Sequence, residues 1–158
     1  RSSRNGCSKT SAMPGCRLGY GVFPEKRYEI ADTLAVNIHS CVNASAQYAA
    51  LEALTGPQDC VEEMNRTFKK RANFMFSKLN ELNGLNCQKP NGAFYCFPNI
   101  KSTNKNSLDL QNILLDKIGV ATVAGTSFGK FGEGYIRLSC ANSHEAIEEA
   151  ISRMKNIF

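Results

Sequence analysis

Residues 6–21 hold one lysine, one arginine and four glycines in sixteen positions: Gly6-Cys7-Ser8-Lys9-Thr10-Ser11-Ala12-Met13-Pro14-Gly15-Cys16-Arg17-Leu18-Gly19-Tyr20-Gly21. Ser8, Lys9 and Arg17 supply a hydroxyl donor, an ammonium and a planar guanidinium, the donor types that recognise an anion. Gly15, Gly19 and Gly21 allow backbone conformations or close approaches that a side chain forbids. A glycine-rich turn carrying such donors suits a phosphate. A lysine kept near another cation also has its amine pKa lowered, which makes it a usable nucleophile. Each residue has a plainer reading too: a surface lysine, an ion-paired arginine, a serine capping a turn.

A second candidate is Arg137, which alternates with Ile136 and Leu138 and so shares a strand face with Tyr135 and Ser139. On residue pattern alone it is an arginine on the wet face of a strand. The seven cysteines, at 7, 16, 41, 60, 87, 96 and 140, include no Cys-x-x-Cys pair, and His39 and His144 stand apart from them. That spacing predicts no metal site. Scattered thiols in a domain of this size read as the buried cysteines of a reducing compartment, so a cytoplasmic location is expected.

The order of motifs carries more than any one of them. Ser8-Lys9, the five-residue gap to Gly15, then Cys16-Arg17-Leu18-Gly19-Tyr20, resembles the Schiff-base lysine segment of the class I/II aminotransferases, which are pyridoxal-phosphate enzymes of fold type I. Further on, residues 44–54, Asn91-Gly92-Ala93-Phe94-Tyr95, Val123-Ala124-Gly125-Thr126-Ser127-Phe128-Gly129 and Tyr135-Ile136-Arg137-Leu138-Ser139 follow in that family's order. The resemblance covers nearly all 158 residues and the C-terminal part of the family's subunit.

It implies an α/β chain: a remnant of a large cofactor-binding domain over residues 1–57, then a small α+β domain over 58–158. It implies pyridoxal 5'-phosphate held by Lys9 as a Schiff base, with Ser8 and Arg17 on its phosphate and Arg137 on the substrate carboxylate. It implies an amino acid and a 2-oxo acid as substrates, and a homodimer. The family's ring-nitrogen aspartate and stacking aromatic would lie upstream of Lys9, and this chain alone would be inactive. Two other classes remain open: a pyridoxal-phosphate lyase or decarboxylase, and an aminotransferase-like sensor domain of a transcription regulator.

These residues need elements to hold them. With 42% hydrophobic and 21% charged residues the chain has the composition of a globular protein. No apolar run is long enough to span a bilayer, and no secretory signal heads the chain. The net charge of +5 is dispersed. Its densest run, Lys69-Lys70-Arg71, lies in a helical pattern without interleaved aromatics. Neither a nucleic acid nor a membrane is therefore expected as partner.

Arg1-Ser2-Ser3-Arg4-Asn5 is polar and patternless, so no element is assigned there. A short apolar run predicts a strand over 20–23, ended by Pro24. Apolar spacing predicts helices over 25–36, 44–54, 58–83 and 108–117, with Gly84 as the stop of the longest. Strands are expected over 92–97, 120–123 and 134–140. Ser143 should cap a last helix whose inner stripe is Ile147, Ile151, Met154 and Phe158.

Overall fold

A computed structural model describes residues 3–158, with the side chain of Arg4 left out of the description. The chain forms two compact units that divide after Met64. The division falls inside a helix, seven residues beyond the boundary expected from sequence.

The first unit opens with a two-stranded antiparallel ladder, β1 (Ser3–Gly6) with β2 (Gly19–Val22), in register from Ser3 opposite Val22 to Gly6 opposite Gly19. No strand was expected in the polar opening residues. The ladder needs only backbone donors and acceptors, so it forms without an apolar pattern to announce it. Between the strands lies the short helix α1 (Cys7–Thr10). Two longer helices follow, α2 (Glu25–His39) and α3 (Ala44–Thr55). Asn43 caps α3, its Oδ1 accepting from the Ala46 N–H at 3.2 Å. α2 continues to His39, so the polar break begins three residues later than expected. These elements expose much apolar surface: Val22, Tyr28, Ile30, Leu34, Ile38, Tyr48 and Leu51 all lie more than half open.

The helix α4 (Asp59–Leu79) places Asp59 and Glu62 at its N-terminal end and Lys78 at its C-terminal end, complementing its dipole. It stops four residues before the expected end. The Asn80 side chain explains this: its Nδ2 donates to the Phe76 and Cys87 carbonyls, and its Oδ1 accepts from the Cys87 N–H at 2.9 Å. The chain turns there, and Gly84 takes a left-handed φ of 84°.

The second unit is a three-stranded antiparallel sheet, β3 (Tyr95–Cys96), β5 (Ile136–Ser139) and β4 (Val123–Ala124), with β5 in the middle. Tyr95 pairs with Ser139, and Val123 with Arg137. The strands are shorter than the sequence suggests, for local reasons. Ala93 adopts φ 58°, which breaks the first. Val120 closes the end of the helix α5 (Ser107–Ile118), its N–H donating to the Leu114 carbonyl at 2.9 Å. The last helix, α6 (His144–Met154), is capped by Ser143 as expected, Oγ accepting from the Ala146 N–H at 3.1 Å.

One core unites these pieces. Leu79, Ile100, Leu110, Leu114, Ile136 and Met154 are fully buried, with Leu138, Ile147 and Ile151 around them. The two 3-10 turns after β4, Gly125–Phe128 and Lys130–Gly132, press together backbone to backbone at Gly125 and Gly132. A Cβ at Gly125 would also lie 2.7 Å from the Tyr135 carbonyl, so a side chain cannot fit there.

Glu133 fastens the start of α5 to the turn before β5. Its Oε1 accepts from the Ser107 and Gly134 N–H groups and its Oε2 from the Ser107 hydroxyl, each at 2.9 Å. The Ser107 backbone bond and then its hydroxyl bond hold the Glu133 carboxyl below the usual glutamate range. A carboxyl whose folded pKa lies below its unfolded value stabilises the fold fully above the unfolded value, about 4.3, and loses that contribution as pH falls through the folded one. Urea midpoints followed downward from about pH 6 should therefore fall in the parent and fall less in Glu133→Gln. Parallel acid limbs would show that this carboxylate contributes nothing pH-dependent.

Candidate active site

Cys7 anchors the lysine loop. It is 3% exposed, its N–H donates to the Leu18 carbonyl at 3.3 Å, and its carbonyl accepts from the Met13 N–H at 3.3 Å. The Cys7–Leu18 bond closes the loop at its base. Ser8 and Arg17 are the residues just inside that closure, one at each end, and Lys9 follows Ser8 on α1. Ser8 is half-buried and Lys9 is exposed. The turn Pro14–Cys16 is 3-10 and leads directly into Arg17, whose Nη1 donates to the Pro14 carbonyl at 3.3 Å. The Arg17 side chain is exposed.

The expectation of a close approach holds at Gly19 and not at Gly15. The left-handed positions of the loop are Ala12 and Arg17, both at φ 52°. Gly15 has open space where a Cβ would stand, whereas a Cβ at Gly19 would lie 2.9 Å from the Asn5 carbonyl. Gly19 thus serves close approach of β2 to β1, and the unusual backbone falls on residues with side chains.

A cleft of about 900 Å³ opens beside this turn. Gly15, Cys16, Arg17 and Gly19 form one wall, and His39, Cys41, Asn43 and Ser45 contribute to the other. Ser8 and Lys9 do not line it. Asn43 and Ser45 were not singled out by sequence, and His39 was weighed only as a metal ligand.

In the second unit Arg137 stands on β5, half-buried. Its guanidinium carbon lies 4.2 Å from the Tyr95 ring centre and 4.4 Å from that of Phe128. Among the described residues no carboxylate pairs with it. Its face of the sheet is the one opposite the buried Ile136 and Leu138, as the alternation predicted. No group of His, Cys, Asp and Glu able to hold a metal occurs among the described residues. Nor is any helix among them long and apolar enough to cross a membrane.

Solved structures of similar shape are aminotransferases of fold type I. The aromatic aminotransferase from Pyrococcus horikoshii superposes with a TM-score of 0.93 at 39% identity, over 99% of this chain and 42% of that one. The aspartate aminotransferase from Thermus thermophilus bound to maleate gives 0.92 at 30% identity, over 99% and 41%. The α/β fold is therefore a portion of that class. The chain belongs to the aminotransferases of class I and II, whose family model matches residues 4–154. It is 41% identical to aromatic-amino-acid aminotransferase 2 of Thermococcus litoralis over 155 residues, 97% of this chain and 40% of that protein. It is also 41% identical to the aspartate aminotransferase of Pyrococcus abyssi, with the same shares. The chain thus spans about two-fifths of the length of the curated relatives it matches.

The donor set fits the cofactor that this family implies. A hydroxyl and a guanidinium at the two ends of one closed loop suit a phosphate, and the amine beside the hydroxyl suits an aldehyde.

The left-handed loop residues make a prediction. For an L-residue that conformation costs roughly 1–2 kcal/mol, of which glycine's own flexibility returns about half. Ala12→Gly should thus raise stability by up to about 1 kcal/mol in chemical denaturation. A clear loss would mean that Ala12 does not hold this conformation in solution.

Proposed function

We propose that the protein containing this chain is a pyridoxal-phosphate-dependent aminotransferase that moves an amino group between an amino acid and a 2-oxo acid. The observation that carries this reading is the closed loop that keeps Ser8, Lys9 and Arg17 on one short span. The aminotransferase names of its relatives rank transamination above the lyase, decarboxylase and sensor readings.

Pyridoxal 5'-phosphate supplies, when bound, an aldehyde carbon for amines and a ring that accepts electrons from the substrate α-carbon. With the cofactor bound, Lys9 Nζ would hold its aldehyde carbon and, when free, would serve as the base for the substrate α-carbon proton. Ser8 would donate its hydroxyl to the phosphate, and Arg17 would add a fork of N–H donors with a fixed charge. Arg137 binds the substrate α-carboxylate through its own fork. Two rings, Tyr95 and Phe128, lie close to that guanidinium.

The exposed apolar residues of α2 and α3 support burial against further protein, consistent with a homodimer. The cysteines among the described residues are all free, which supports a reducing, cytoplasmic setting.

Two experiments test the assignments. Borohydride reduction of the cofactor-loaded protein, followed by peptide mapping, should place the pyridoxyl group on Lys9; label on another lysine would sink the assignment. Arg137→Lys keeps the charge and loses the fork, so the amino-acid KM should rise about tenfold or more while the cofactor absorbance stays put. A KM equal to the parent's would return Arg137 to an ordinary exposed arginine.

A further inference from the structure

Arg137 is held by rings instead of acids. Tyr95 comes from β3, where it pairs with Ser139 two residues along β5. Phe128 comes from the turn Gly125–Phe128, which has no ladder partner of its own. The guanidinium carbon lies close to both, at 4.2 Å and 4.4 Å from the ring centres. A cation over an aromatic face is attracted by the ring quadrupole, and a planar guanidinium also stacks there.

The ring on the Phe128 side is itself buttressed. Phe128 meets Phe97 edge to face at 6.1 Å, and Phe97 stacks on Tyr135 at 5.3 Å with the planes 4° apart. The turn that carries Phe128 is fixed by the Gly125–Gly132 backbone contact and by the Gly125 N–H donating to the Tyr135 carbonyl at 2.8 Å. A half-exposed ring is thus given a set position by backbone contacts on one side and by a row of rings on the other.

A carboxylate partner within the protein would also hold an arginine, but it would occupy the fork and neutralise the charge. A ring clamp fixes the plane of the guanidinium while leaving both its charge and its N–H edge unused. We propose that Phe128 is a positioning residue for Arg137: with Tyr95 it fixes the guanidinium plane so that the N–H fork meets the substrate carboxylate edge-on. This rests on the carboxylate-binding reading of Arg137 given above.

The test uses the complete protein loaded with cofactor. Phe128→Leu keeps apolar volume and removes the quadrupole; Phe128→Tyr keeps the ring. Phe128→Leu should raise the amino-acid KM about three- to thirtyfold, the range that a cation–ring contact supports, with kcat changed much less. Phe128→Tyr should stay within about twofold of the parent. The rate of reaction with a primary amine that lacks a carboxylate should not change in Phe128→Leu, since Arg137 has nothing there to bind. In an Arg137→Ala background, Phe128→Leu should have no further effect on KM.

Equal losses for the amine and the amino acid, or additive losses in the double variant, would make Phe128 a structural residue and overturn the proposal. If Arg137→Ala raises KM and Phe128→Leu does not, the positioning role alone fails. If Arg137→Ala leaves KM unchanged, the carboxylate reading fails and takes the positioning role with it.

Discussion

A strand cannot bury one face without committing the other. On β5 that commitment organises the whole second unit. Ile136 and Leu138 point into the core formed by α4, α5 and α6, so Arg137 between them must point away. A slip of one residue would drive the guanidinium into the core and the two aliphatic chains into water, so the register is set by burial itself. Pairing on both sides of β5 then fixes what stands beside the arginine: Val123 from β4 and, two residues along, Tyr95 from β3 opposite Ser139. The apolar core and the proposed binding group are thus two faces of one four-residue strand.

How much of this could be read from sequence divides by range. Helices with a clear apolar stripe or cap were legible: α6 begins after Ser143, and α5 spans its expected residues with one more at each end. The face that Arg137 takes on its strand was legible from its alternation with Ile136 and Leu138. Local backbone exceptions were not. Nothing in the residue type of Ala93, Ala12 or Arg17 announces a positive φ. β1 was missed because Ser3 and Asn5 carry no apolar period for a backbone ladder to reveal. Contacts between distant residues were hidden as well. Tyr95 and Phe128 stand 42 and 9 positions from Arg137, in motifs noted only for their order along the chain. Glu133 and Ser107, 26 positions apart, carried no signal at all.

The lysine loop follows a different economy of support. Its base is closed by the buried Cys7 and by backbone bonds. Arg17 gives one N–H to the Pro14 carbonyl, and the loop thereby keeps most of its polar donors on the outside. The strain of two left-handed residues is tolerated because the ladder β1–β2 fixes both ends of the span.

The contact between Gly125 and Gly132 works as a clasp around residues 126–131. Beyond it Phe131 is 88% exposed, the most open large apolar residue described. A clasped segment with an open tip is where a chain accepts a cut or an insertion most readily, because the ends stay near one another when the tip is severed. Phe128 lies inside the clasp, on the arm nearer Gly125, whereas Phe131 lies on the other arm. Extra residues between Lys130 and Phe131 would lengthen the free arm and leave the turn that holds Phe128 untouched. The second unit thus has a place for a peptide tag or a new chain terminus six positions before Arg137.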